Sequence, residues 1–225
     1  MAPFGASRAG LMSVAEDDIP DSDDLQAHYD FSEEDGSMPV SDLSGNGVDL
    51  DNGSYSGVGT EINGVQAGRF DRDIIYNHTD LNIPKPSTTF VVFEIVSSDA
   101  GDRYFDAGDP NDNSLFHSID DEYTFGMDGN NSLASVAVEP TAGDIKLLAA
   151  YGDEDEQRLD IFPDDETGTG PGWTGNQSGI TVGGRGDLDN ESDIKVGEIL
   201  VYDGYKTDIA DDVRSYIENK WGTLN

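Results

Sequence analysis

The sequence predicts an all-β chain, a two-sheet antiparallel sandwich closed by one short C-terminal helix. Two observations carry that prediction: ten β-type runs separated by Gly, Asp and Asn clusters, and a single amphipathic stretch near the end of the chain. The runs cover 26–31, 64–70, 87–96, 103–107, 123–127, 132–138, 144–151, 157–161, 179–182 and 193–202. The stretch Thr88-Thr89-Phe90-Val91-Val92-Phe93-Glu94-Ile95-Val96 is dense in β-branched and aromatic residues and is expected at the centre of a sheet. Residues 99–102, 128–131 and 183–186 carry turn chemistry, and Asp153 to Glu156 read as a solvated hairpin between Tyr151 and Gln157. The run VGEILVY (196–202) predicts a buried last strand. After it, Thr207 is the expected N-cap, and Asp208, Asp211 and Asp212 suit the positive helix end. Ile209, Val213, Tyr216, Ile217 and Trp221 line one face, Lys220 lies in the last turn, and Gly222 supplies the stop.

Two segments carry a resemblance. The string GEILVYDGYKTDIADDVRSYIENKWG (197–222) resembles the closing strand, turn and helix of laminin-G-like, concanavalin A-like jelly-roll domains. His28-Tyr29-Asp30-Phe31 with Val40-Ser41-Asp42-Leu43-Ser44-Gly45-Asn46-Gly47 is similar to the opening strand and D-x-S-G-N-G turn of that family, so the resemblance spans roughly residues 25 to 222. It implies a jelly-roll sandwich. Members range from glycan lectins to glucanases to protein-interaction modules, so a function does not come with the fold.

Forty-seven acids, 34 of them Asp, face twelve Lys and Arg, only five of them Lys, for a net charge of −35. With 35% hydrophobic residues and strand patterning throughout, this is a folded domain with an acidic surface rather than a disordered chain. Such a surface repels itself at low ionic strength, whereas in molar salt the Debye length is about 3 Å. The composition therefore points to a high-salt environment, with a calcium-loaded acidic protein as the competing reading. Nucleic acid is not expected as a partner, because clustered Lys and Arg are missing. No apolar run is long enough for membrane insertion, and the absence of cysteine removes thiolate chemistry.

Residues 1–23 read as an N-terminal arm or linker ahead of a sandwich spanning 24–225. The arm holds Phe4 and an apolar patch at Leu11, Met12 and Val14, and no signal-peptide pattern. Its string PFGASRAGL (3–11) is similar to N-terminal arms of structural proteins of tailed viruses, haloarchaeal ones included.

No E-x-D-x-x-E pattern of a retaining glucanase occurs in a strand, so no catalytic residue is assigned. His28, His78 and His117 lack metal or triad spacing and are expected to be structural. Asp106, Asp109, Asp112 and Asn113 offer the oxygens of a calcium loop, with a merely solvated cluster as the alternative; no cofactor is certain. In the Gly-rich loop 168–179, Trp173 could stack on a sugar while Thr174, Asn176 and Gln177 hydrogen-bond it, or Trp173 could fold back on the sandwich edge. These features predict a non-enzymatic virion structural protein on the tail or capsid surface of a halophilic virus. Its arm would hold other virion proteins, the chain would form a homo-oligomer, and the sandwich would contact a host surface glycan or glycoprotein. A cellular carbohydrate-binding module of a haloarchaeon and a glycoside hydrolase are the alternatives.

Overall fold

The computed structural model describes residues 19–55, 60–83, 85–97, 104–106, 117–119, 122–125, 134–172, 177–184 and 192–225. The strands begin with β1 (Leu25–Asp30), β2 (Asn52–Gly53), β3 (Thr60–Ile62), β4 (Val65–Asp71) and β5 (Ile75–Ile83). They continue with β6 (Ser87–Ser97), β7 (Phe105–Asp106), β8 (His117–Ile119), β9 (Glu122–Phe125) and β10 (Ala134–Val136). The last five are β11 (Ile145–Gly152), β12 (Glu156–Phe162), β13 (Glu166–Pro171), β14 (Gln177–Val182) and β15 (Asp193–Asp203), followed by helix α1 (Ala210–Trp221).

An eight-stranded antiparallel sheet runs β13-β12-β11-β6-β15-β4-β3, with β1 also paired to β15. Strand β6 is central, as its composition predicts, flanked by β11 and β15. A four-stranded sheet (β2-β5-β14-β7) and a three-stranded one (β10-β9-β8) lie against one face of it. The architecture is thus the predicted antiparallel sandwich with one C-terminal helix, its second layer split into two pieces among the described residues.

Alternation along the strands builds two cores. In β6, Val91, Phe93 and Ile95 point into the sandwich against Ile75, Phe105, Tyr123, Ile180 and Val182. Phe90 and Val92 point the other way, towards Val213, Ile217 and Trp221 of α1. The large sheet is therefore buried on both faces.

Strand β15 changes parity halfway. Ile194 and Val196 face the sandwich, but so do Ile199 and Val201, because the register shifts between Val196 and Glu198. The residue at the shift is Gly197, where a Cβ would stand 3.0 Å from the Trp221 ring. The shift places Glu198, with Leu200 and Tyr202, on the helix side. Beyond it, β15 exchanges β4 for β1 as its neighbour, with Phe31 N donating to Gly197 O at 3.0 Å.

The helix begins differently from its prediction. Thr207 to Ile209 form a 3-10 turn, and Ile209, which has no capping side chain, occupies the position before α1. Thr207 is consequently not the N-cap, because the extra turn carries the chain into the helix two residues later. The other end is as predicted: Gly222 sits at φ 83, donates its N–H to Glu218 O at 3.0 Å and stops the helix. The terminus is fixed on the sheet by Ile145 N donating to Asn225 Oδ1 at 2.6 Å and Asn225 N donating to Ile145 O at 3.1 Å. At the opposite terminus Ile19 is buried on the helix side, and Tyr202 donates its hydroxyl to Pro20 O at 2.8 Å.

The D-x-S-G-N-G turn is held from within. Asp42 accepts the N–H of His28 and Ser44 on Oδ1 and the N–H of Gly47 on Oδ2, each at 2.9 Å. Tyr29 donates to Val48 O at 2.7 Å, and burial pushes its phenol pKa far up, so it stays neutral.

Candidate functional site

The helix face of the large sheet carries two charge centres, one at each end of α1. Beneath the C-terminal end, Glu198 is almost fully buried and accepts four hydrogen bonds. Oε1 receives His28 Nε2 and the Tyr216 hydroxyl, both at 2.7 Å. Oε2 receives Lys220 Nζ at 2.8 Å and Trp221 Nε1 at 2.9 Å. Lys220 also donates to Asp30 Oδ2 at 2.6 Å, and Asp30 Oδ1 is held by the N–H and hydroxyl of Ser32. Burial raises the Glu198 pKa, but the His28 hydrogen bond and the Lys220 charge outweigh it and bring the carboxyl down to about 2. Burial lowers that of Lys220, and the Glu198 and Asp30 charges more than reverse it. Because an ionised carboxylate only accepts, the hydrogen between His28 and Glu198 sits on Nε2. This centre is sealed and locks the helix onto β1 and β15.

Beside the start of α1 lies the second centre, a groove of about 280 Å³ lined by Arg158, Asp160 and Phe162 of β12, Asp165, Glu166 and Thr167 of the following turn and β13, and Thr207, Ala210 and Asp211. Strand alternation turns Leu159 and Ile161 into the sandwich and leaves Arg158, Asp160 and Phe162 on the helix side. Asp160 Oδ1 accepts Arg158 Nε at 2.8 Å and the Thr167 hydroxyl at 2.7 Å. The Arg158 guanidinium lies over Tyr151, 5.6 Å from the ring centroid. Two of the lining residues are engaged by Arg214, which pairs with Asp165 at 2.8 Å and lies over the Phe162 ring, 5.3 Å from its centroid. The Asp160 side chain is 6% exposed and that of Arg158 34%, so the acid is a buried anchor and the guanidinium opens to the groove.

The predicted site residues distribute unevenly. Asp106 lies in β7, buried and opposite Thr181 of β14, while Asp109, Asp112 and Asn113 lie outside the described residues. Gln177 opens β14 opposite Ile83, and Trp173, Thr174 and Asn176 lie outside the described residues, as do Phe4, Leu11, Met12 and Val14. Residues 168–171 are not loop, as predicted, but belong to β13 paired with β12. His28 is structural, as expected. Among the described residues no group of three or more His, Asp or Glu is placed to hold a metal ion. Among them, too, no helix is long and apolar enough to cross a membrane. Sequence reasoning missed both charge centres. Glu198 inside an otherwise apolar run was the available signal for the first, since a buried charge needs a partner.

No protein-family model matches the sequence, and neither does any of the curated proteins compared with it. Solved structures do match the fold. The chain is similar to domain 4 of AbnA, a GH43 extracellular arabinanase from Geobacillus stearothermophilus, in complex with arabinotriose: TM-score 0.65, 17% identity, 85% of this chain and 97% of that one. A GH54 α-L-arabinofuranosidase soaked with a cyclic sulfate inhibitor gives TM-score 0.61 at 16% identity over 83% of this chain. The binding domain of botulinum neurotoxin DC in complex with SialylT gives TM-score 0.62 at 10% identity over 90% of this chain. The match spans about half the length of the last two, 51% and 55%. What the likeness shows is the fold alone, an antiparallel β-sandwich.

Proposed function

We propose that the chain is a carbohydrate-binding sandwich without catalytic activity, adapted to high salt. The observation that carries this reading is the likeness along 97% of an arabinanase domain that was captured with arabinotriose. In its finer form the proposal is a structural protein of a halophilic virus, on the tail or capsid surface, with the N-terminal arm binding other virion proteins and the sandwich presented to host glycans in many copies. The acidic composition and the arm string support that form. Calorimetric titration of the full chain with arabinotriose and a panel of neutral and sialylated oligosaccharides in molar KCl tests the core of the proposal, with saturable binding and no released reducing sugar expected. Hydrolysis of any bound oligosaccharide would replace it with the hydrolase reading. Removal of residues 1–18 separates the finer form: it should abolish association with virus particles and leave sugar binding intact. The cut falls ahead of Ile19 because Ile19 and Pro20 already pack on the sheet.

A further inference from the structure

The groove beside the start of α1 has the properties of a binding site rather than of a structural ion pair. Asp160 anchors Arg158 through Nε alone, and Tyr151 supports the guanidinium from below. The two terminal nitrogens of Arg158 hydrogen-bond no side chain or backbone group among the described residues, and the side chain lines the groove with about a third of its surface exposed. A guanidinium fixed at its Nε with its outer donors open loses little freedom when it binds something.

We infer that this groove holds one unit of a neutral, hydroxyl-rich ligand, a single sugar residue of a longer chain, an inference that rests on the carbohydrate-binding reading above. The lining mixes one anchored donor with several acceptors. Arg158 donates only, the carboxylates of Asp165, Glu166 and Asp211 accept only, the Thr167 hydroxyl, which donates to Asp160, can still accept, and the Thr207 hydroxyl can do both. Vicinal sugar hydroxyls, each a donor and an acceptor, complement such a set. An anion would meet four carboxylates against one lining cation on a chain of net charge −35. A cationic ligand would face the open side of Arg158, and Asp160 and Asp165 are already engaged by Arg158 and Arg214. The salt in which such a surface is stable also screens ionic attraction beyond about 3 Å, but leaves hydrogen bonding and shape to act. The volume of about 280 Å³ fits one sugar unit, with Phe162 and Ala210 as its apolar floor.

The test is calorimetric titration of the full chain in molar KCl with neutral trisaccharides of arabinose, xylose, galactose and glucose. Trigalacturonate and tetralysine serve as the anionic and cationic arms. Two variants report on the groove: Arg158→Gln removes the open donors, and Asp211→Trp fills the mouth from an exposed helix position without breaking a side-chain bond. A thermal melt of each verifies folding. The inference expects a neutral sugar to bind and both variants to weaken it at least about tenfold, as loss of a charge-assisted hydrogen bond or of the space would. Sugar binding that survives both groove variants overturns the groove assignment and leaves the carbohydrate-binding function standing. Binding of trigalacturonate or tetralysine in the groove without a neutral sugar overturns the ligand class. No sugar bound by the native chain overturns both.

Discussion

The two ends of helix α1 hold the same kinds of group in opposite states. Under its last turn, Glu198 is closed over by four donors and Lys220 bridges it to Asp30. Beside its first turn, Asp160 is also buried, yet the Arg158 that it anchors keeps its outer donors unbonded among the described residues and lines a groove. A buried carboxylate alone therefore says nothing about function. What separates a structural centre from a binding one is whether its basic partner has donors left over and space in front of them.

The sharpest way to break the sealed centre is Lys220→Met, which strands Glu198 and Asp30 as buried carboxylates and should remove about 3–5 kcal/mol of stability. Trp221→Ala should fall in the same range, about 3–5 kcal/mol, because it empties a fully buried aromatic site and takes away a Glu198 donor. Denaturant melts in molar salt check both. Arg158→Gln, by contrast, should cost less, about 1–2 kcal/mol in the same melts, since the arginine is partly solvated and Asp160 keeps the Thr167 hydrogen bond.

Acid offers a milder break of the same centre. Glu198 has its pKa brought from the ordinary 4.5 to about 2 in the folded chain. A group depressed on folding stabilises the native state fully above its unfolded value, and that contribution disappears as the pH falls through the folded one. Stability should decline between roughly pH 4.5 and 2 by about 3 kcal/mol on account of this residue. Comparing pH-dependent melts of the native chain and Glu198→Gln isolates it: the variant should be less stable at neutral pH and show a shallower acid slope over that window. Equal slopes would mean that the acid limb belongs to other carboxylates.

Most of the sandwich was legible because its inner strands repeat with period two between turn residues. The strands that escaped are polar ones with a reason to be polar. Strand β13, Glu-Thr-Gly-Thr-Gly-Pro, is an edge strand with β12 as its one sheet neighbour among the described residues, and it needs Gly168 because a Cβ there would lie 2.1 Å from Ser135 O. Strand β5 bears Asn77, His78, Thr79, Asp80 and Asn82 in the smaller sheet, so no alternation announces it. The sealed centre was half written in the sequence. Glu198 interrupts an apolar run, Lys220 follows Tyr216 at i+4 and so shares the buried helix face, and His28 and Asp30 alternate onto one side of β1. The groove was not legible, because it exists only where residues 158–167 meet residues 207–211, and no pattern within either stretch names the other.

The smallest expected effect is the one that ties the comparison to salt. Lys206 reaches Asp21 at 2.9 Å and Asp24, linking the start of the described chain to the turn before α1, with both acids about half exposed. At low ionic strength Lys206→Ala should cost about 0.5 kcal/mol, part from the pair and part from added self-repulsion of the acidic surface. In molar KCl both contributions are screened and the variant should melt with the native chain. The penalty of Lys220→Met should persist across the same salt series, because ions do not enter a centre whose glutamate is sealed. Native stability should itself rise from low to molar KCl as surface repulsion is screened, which fits scarce cations placed inside the fold while the exposed carboxylates are left to the solvent. If Lys206→Ala kept its penalty in molar salt while that of Lys220→Met faded, the reading of Lys220 as sealed and Lys206 as a solvent-screened pair would be reversed.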